Sequence, residues 1–577
     1  MSGLDCKAHL SLHYTYLMRL NQDRVRELLL LTGLCGFFFF FRLSGIGLLG
    51  PDEPRYAQVA REMLARHDWI TPVLYGHTWL EKPILLYWGE MVSYLGFGVS
   101  DFAARVPSAV AATLLVLGVF LAVRHIRHDA RLDAALMIAS SVLIIGFARA
   151  AATDMLLASP LALSLLCWYC WYHDDYTDER PDARASRIYL VLFYAFNALA
   201  MLAKGPVAPG LAALVVIAFC VSQRNRQALL RTLDPVGIAA FFAVAAPWYV
   251  LVQLHTPEFF RVFFLQHNLA RFGSNLYRHR QPFWYYVPVA LAATVPWTVW
   301  MLQGLSDAWR GLHSRSEAEP EGEPALTFEV FLSIWAAVPI AFFSLSQSKL
   351  PGYILPAIPA LLILAAVGVH RRAGLDERPH WLAVCFHAVL LSVLAAAICV
   401  APRIMFKLPA SPKSLMIAAM VGTITFLIVA FPLLTAGWRM LRFVTLLPLI
   451  LVCGFVLRGL APALDATQSS RPVAELLKAM DQPGTLPLAT FALNRNTALG
   501  LAFYLDRRVA PYEGLEISPA IYELPAAVPA GDHIVVAREG SLPLLRQLLP
   551  GRDVRFIGSY RAQRIEIYQV SSVQTAQ

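Results

Sequence analysis

The chain has 577 residues, of which 57% are hydrophobic and only 15% charged, with a mean hydropathy of +0.54. That is too little charge to cover a soluble protein of this length, so soluble classes are excluded and a polytopic α-helical membrane protein is expected. The net charge of +9 is scattered over short loops, a pattern that orients membrane helices and offers nucleic acid no continuous basic face.

A basic N-terminal tail leads into GLCGFFFFFRLSGIGLL without a small-residue cleavage motif, so the first apolar run is expected to remain as an anchor. At about 20 apolar residues per crossing, spans are expected near 27–48, 104–123, 131–148, 153–172, 187–203, 206–221, 235–254, 283–303, 327–345, 353–370, 381–400, 414–435 and 441–459, about thirteen in all. PILLYWGEMVSYLGFG (83–98) is apolar but short and carries Glu90. Leaving it out puts RHIRHDAR (124–131), QRNRQALLR (223–231) and Arg371/Arg372 on the side of the N-terminal tail, which the positive-inside rule makes the cytoplasm. Asp52, Asp154, Lys204, the 255–282 loop, Lys349 and the C-terminal region then share the outer side.

In the first outer loop (49–103), Tyr56, Val59, Ala60, Met63 and Leu64 line one helical face while Arg55, Arg61, Glu62 and Arg66 line the other. This is the pattern of an amphipathic juxtamembrane helix lying in the interface. The inner loop SRSEAEPEGEP (314–324) reads as an acidic linker. Cys167 and Cys170 form a CxxC inside an apolar run without partner ligands, which reads as packing. The sequence divides at about 460 into a transmembrane catalytic domain (1–460) and an outer soluble α/β domain (461–577). In the latter LPLAT, HIVVA, VRFIGSY and RIEIYQV read as strands, and RPVAELLKAM, NTALGLAFYL and LPLLRQLL as helices.

Ionisable residues at membrane depth are costly and mark functional cavities, and here they gather on one face. From the N-terminus they are Asp52, Glu53, Arg55 and Tyr56 in GPDEPRYA, Glu81 and Lys82 in WLEKP, Asp154 in ATDM and Lys204 in AKGP. His267 and Arg271 in HNLARF follow, then Lys349 and Tyr353 in SKLPGY. Each has a bland reading. Asp52 suits the N-cap of a helix starting near Pro54, Glu81–Lys82 an exposed ion pair, His267 a snorkelling side chain, and Arg271, Arg278 and Arg280 lipid headgroup contacts. None of these accounts for the gathering.

Taken in order, GPDEPRYA, WLEKPILLYW, ATDM, LAKGP, HNLARF with HRQPFWYY, and SKLPGYILPAIPAL resemble the lipid-carrier-dependent glycosyltransferases of the GT-C class. More narrowly they resemble the aminoarabinose transferases that modify lipid A, relatives of protein O-mannosyltransferases. The resemblance implies a GT-C fold of about thirteen spans with an outer α/β tail. It further implies transfer of 4-amino-4-deoxy-L-arabinose from undecaprenyl phosphate to a lipid A phosphate at the periplasmic face of the inner membrane, with resistance to polymyxin as the outcome. It makes Asp52, with Glu53 beside it, the catalytic signature and Asp154 the second aspartate. It also makes Glu81 and His267 candidate ligands for a divalent metal (zinc, or magnesium or manganese), which such a site can bind with or without a part in the chemistry. The partners it implies are the lipid-linked donor, lipid A and membrane lipids, with no nucleic acid and the chain acting as a monomer.

The donor bond joins an anomeric carbon to a phosphodiester, and breaking it builds negative charge on the departing phosphate. Preset cations are the largest help a protein can give. Lys82, Arg55, Arg271 and Lys204 suit that role, and Tyr56, Lys349 and Tyr353 complete the candidate substrate-binding set. Asp52 is open to two roles. It is a general base for a hydroxyl acceptor, or a positioning group for the donor sugar where the acceptor is an already anionic phosphate. A single displacement inverts the anomeric centre. The competing readings are transfer of another sugar to a glycan, lipid or protein hydroxyl and, more distantly, a transporter, against which the lack of an internal repeat counts.

Overall fold

The structure, a computed structural model, describes residues 24–176, 183–270, 280–314, 324–405, 408–409, 411–481, 484–518 and 522–572. Among the described residues, eight helices are long and apolar enough to cross a membrane: Asp101–Ile126, Thr153–Tyr176, Ser186–Lys204, Pro235–His255, Thr327–Leu345, Pro351–Gly374, Trp381–Met405 and the composite Pro412–Gln468. Two stretches expected as straight spans are broken. Arg131–Ala139 meets Val142–Ala148 at 61°, and Phe283–Ala293 meets Thr298–Gly311 at 118°, giving ten crossings if each pair is one. At the first break the Ser140 and Ser141 hydroxyls bond back to the carbonyls of Leu136 and Ile138, the kind of local competition that bends helices. Pro296, which has no N–H to give, lies in the second. Thirteen crossings remain an expectation of the sequence.

The 83–98 stretch forms a helix, Leu85–Phe97, about 20 Å long at 1.5 Å per residue and so too short for a bilayer core. It packs on the first-loop helix, Asp52–Ala65. That helix does not lie open at the interface as its two-faced pattern suggested. Its apolar face is buried, and so are Arg55 and Gln58 from the opposite face, because the C-terminal domain covers it.

The C-terminal domain is built on a sheet of order β4-β3-β7-β9-β8. Its strands are β3 (Leu488–Phe491), β4 (Val509–Pro511), β7 (His533–Arg538), β8 (Arg552–Tyr560) and β9 (Ile565–Ser572). β3 runs parallel to β4 and β7, while β9 is antiparallel to β7 and β8. The expected helices stand at Arg471–Met480, Arg495–Leu505 and Leu542–Leu548. Short antiparallel ladders add β1 (Val73–Leu74) with β2 (His77–Thr78) in the first loop, and β5 (Leu515–Ser518) with β6 (Tyr522–Leu524) in the domain.

The domain is fastened to the first loop by specific bonds. Tyr504 accepts from the Leu48 amide at 2.7 Å and donates to Asp101. Asp465 accepts from the Gly47 amide at 2.7 Å, and Arg471 pairs with both Asp465 and Asp101. Arg61 donates to the Phe503 carbonyl at 2.8 Å and pairs with Asp506.

Beneath this seam, Arg105 in the first turns of the Asp101–Ile126 helix directs all five guanidinium donors to protein acceptors. Nε and one Nη2 bond reach both oxygens of Glu53, at 3.0 and 2.7 Å; the others reach the carbonyls of Leu43, Ile46 and Gly47. Glu53 also accepts from the backbone amides of Leu49 and Ala151. Removing one member of such a buried pair strands the other charge, at about 3–5 kcal/mol. Arg105→Ala is therefore expected to lower the melting temperature sharply in detergent, whereas Glu258→Ala, which breaks an exposed pair with Arg261, leaves it within error.

Glu90 is fully buried, and neither carboxyl oxygen has a hydrogen-bond partner among the described residues. Burial, with Glu53 adding to it, raises its carboxyl well above the ordinary 4.5, so the folded protein keeps it protonated. As pH rises past that ordinary value the unfolded chain releases the proton and the folded one does not, so stability falls by about 1.4 kcal/mol per pH unit. Glu90→Gln should abolish this slope. Melting curves from pH 4 to 8 are expected to show the wild type losing ground to the variant as pH increases; parallel curves would contradict the assignment.

Candidate active site

Asp52 does not cap its helix. The helix begins at Asp52 itself, the N-cap position is Pro51, and no side chain caps it. Instead Asp52 Oδ1 accepts from Arg55 Nη2 at 2.6 Å, one helical turn on, while the Asp52 side chain stays 56% exposed. Arg55 is its opposite, 5% exposed. Its guanidinium lies against the rings of Tyr56 and Trp79, each 5.1 Å from centroid to Cζ, and donates to the Ile517 carbonyl of β5. Burial works against the Arg55 charge, yet Glu81, Tyr56 and Asp52 outweigh it and raise the guanidinium above its ordinary value. Tyr56 is buried against Tyr87, and burial, with Asp52 adding, keeps its phenol protonated.

Glu81 and Lys82 are not an exposed pair either, for both are buried. Lys82 Nζ lies 3.1 Å from Glu81 Oε1, and Arg55 Nη2 lies 3.6 Å from Glu81 Oε2. Asp52, Arg55, Glu81 and Lys82 thus form one chain of alternating charge, exposed at its Asp52 end. Each oxygen of Glu81 has a cation beside it, Lys82 at one and Arg55 at the other. The side chains of His267 and Arg271 lie outside the described residues.

A second group forms where three helices meet. Asp154 opens the Thr153–Tyr176 helix, and its Oδ1 lies 2.6 Å from Nζ of Lys204, the last residue of the Ala183–Lys204 helix. The Lys204 ammonium stands 5.3 Å over the Tyr353 ring. Lys349 is buried four residues before Tyr353 and donates to the Ser346 carbonyl at 2.5 Å. Gly352 lets this turn approach: a Cβ there would come within 2.5 Å of the Phe147 ring and 3.0 Å of Asp154 Oδ1.

Glu53 connects the groups. It follows Asp52 directly, and its Oε1 accepts from the amide of Ala151, three residues before Asp154, at 2.7 Å. Its bonds are all to protein, so the geometry gives it the work of spacing the two aspartates. Two arginines that sequence reading passed over hold this frame: Arg105, and Arg149, which donates to the carbonyls of Phe38, Phe41 and Arg42. The signal was present, since each is an arginine inside or at the end of an apolar helix, where a charge calls for a named partner. Elsewhere on this side, Arg507 pairs with Asp481 at 2.7 Å, and Phe283 and Trp284 are exposed, as members of an aromatic belt are.

Residues 46–263 match the family model described as dolichyl-phosphate-mannose-protein mannosyltransferase. Curated relatives named undecaprenyl phosphate-alpha-4-amino-4-deoxy-L-arabinose arabinosyl transferase include one from Pseudomonas aeruginosa, 33% identical over 59% of this chain and 59% of its own. Another, from Aeromonas hydrophila, is 31% identical over 62% of this chain and 64% of its own. The matched part of the chain thus spans about three-fifths of the length of these relatives. Two crystal structures of ArnT from Cupriavidus metallidurans, one bound to undecaprenyl phosphate and one in the apo state, superpose with TM-scores of 0.73 and 0.72. They are 24% and 23% identical, covering 94% and 95% of this chain and 97% and 98% of theirs. The chain is a sequence relative of the arabinosyl transferases and has the ArnT-type GT-C fold.

Proposed function

We propose that the chain is a glycosyltransferase of the inner membrane, acting as a monomer. It moves 4-amino-4-deoxy-L-arabinose from undecaprenyl phosphate to a lipid A phosphate at the periplasmic face. The observation that carries this is the buried run Arg55–Glu81–Lys82, ending in the exposed carboxylate of Asp52, within an ArnT-type fold. The names of the relatives supply the sugar and the carrier. On this reading residues 1–460 form the catalytic membrane domain and 461–577 the periplasmic domain that covers it.

In the reaction, the bond between the anomeric carbon and the carrier phosphate breaks with its electron pair leaving on the phosphate oxygen. Meanwhile an acceptor oxygen attacks from the opposite face and inverts the centre. Lys82 and Arg55, held out of water and already charged, meet the growing negative charge without reorganising, the setting in which such cations act most strongly. Lys204, Lys349 and Tyr353 would serve the same substrate from the second group, with Arg271 as a further phosphate contact. A lipid A phosphate is anionic near neutral pH and needs no base. Asp52 and Asp154 then hold the donor's hydroxyls and amine, and Glu53 keeps them at their spacing. The mannosyltransferase match favours one alternative, transfer of another sugar to a hydroxyl, in which Asp52 becomes the general base.

Expression in a polymyxin-sensitive bacterium that makes the lipid-linked donor but lacks its own transferase tests this directly. Lipid A is expected to gain one aminopentose by mass spectrometry. Lys82→Ala should lose about 10²–10³-fold in rate, and Asp52→Asn should fall as well. An unmodified lipid A with protein present in the membrane would reject the sugar or acceptor. Gly352→Ala, which adds only a methyl group, is expected to cost activity by pushing Phe147 or Asp154 aside, while melting stays close to wild type. Full activity would show that the approach of this turn to Asp154 is immaterial.

A further inference from the structure

The helices that begin at the outer site end, about 30 Å away at 1.5 Å per residue, in a second cluster. His173 and Asp174 close the Thr153–Tyr176 helix, and His125 closes its neighbour Asp101–Ile126. The His125 Nε2 lies 2.6 Å from Asp174 Oδ1, and the His173 Nδ1 lies 3.7 Å from the same oxygen. The two imidazole rings stand 5.8 Å apart at 60°. One ligand atom from each residue lies within 4.8 Å of the others. Tetrahedral zinc with bonds of about 2.0–2.2 Å sets its ligands roughly 3.4 Å apart, so small rotations bring all three onto one ion.

Among the carboxylates at this end of the bundle, Asp133 is matched by Arg442, Glu329 by Arg371 and Asp307 by Arg372. Asp174 is as buried as Asp133, and among the described residues its ion-pair partners are the two histidines. Two imidazoles and a carboxylate are an ordinary donor set for zinc. His125 keeps 38% of its side chain exposed, which leaves one side of the cluster open to water as a fourth ligand.

We infer that His125, His173 and Asp174 form a divalent transition-metal site, best suited to zinc, at the end of the membrane bundle opposite the transferase site. The ion would join two helices that each carry outer-site residues at their other ends, Asp154 on one and Arg105 on the other.

The test uses the full chain in detergent, stripped with a chelator and titrated with zinc against a chromophoric competitor. The variant Glu81→Gln is titrated in parallel to remove any contribution from the outer face. One zinc equivalent is expected in both. His173→Ala and His125→Asn should each weaken it by more than about 100-fold, the upper end of what loss of a mere supporting residue costs. Their helix content by circular dichroism should match wild type. Cobalt in place of zinc should give visible d–d absorption that His173→Ala abolishes. Absence of a zinc equivalent in the wild type, or equal binding by both histidine variants, would overturn the assignment.

Discussion

Everything at the outer face hangs on one saturated arginine. Arg105 has five N–H groups and spends each on an acceptor drawn from residues 43–53. A guanidinium placed among apolar helices is tolerable only when fully bonded. The bonding in turn ties the chain at Leu43, Ile46, Gly47 and Glu53 to one side chain. Glu53 then extends that tie to Ala151. The result is a rigid spacing between Asp52 and Asp154, residues a hundred positions apart in the chain, obtained without either of them being bonded to the other.

Burial is shared out unevenly around that frame. Arg55, Glu81, Lys82 and Lys349 are all taken out of water, while Asp52 keeps more than half of its surface. Charges with fixed partners and little access to solvent act as a standing field, and the row ends in a carboxylate that water still reaches. Hydrogen bonds to the peptide backbone complete the arrangement, among them the one from Arg55 to the Ile517 carbonyl. Through that bond the C-terminal domain is part of the site and not an appendage to it.

Much of this was legible in the sequence, for physical reasons. Hydropathy located most crossings because a bilayer imposes a length and a polarity on its helices. Alternation located β9, since a strand with one buried face has a period of two, and a short apolar run located β7, which is buried on both faces. Motif order pointed to the lipid-carrier-dependent transferases, and the structure brings Arg55, Glu81 and Lys82 of those motifs together. What the sequence could not carry were pairings over long separations. Arg55 was assigned to a polar face and turned out to be buried, because the covering strand lies more than 450 residues further on. The breaks at 139–142 and 293–298 escaped notice since window averages of hydropathy are blind to a serine pair or a single proline. Asp174 and His125 are 49 residues apart, and no local pattern joins them.

The bond from Arg55 to Ile517 also sets an order of events in synthesis. The first outer loop is made early, and its arginine has Asp52 and Glu81 beside it from the start, but the cover that β5 gives it can close only once that strand has been translated and has reached the same side of the membrane. Until then Glu53 and Arg105 can already hold the loop, because all their partners lie within the first 151 residues. The frame is therefore assembled long before the lid.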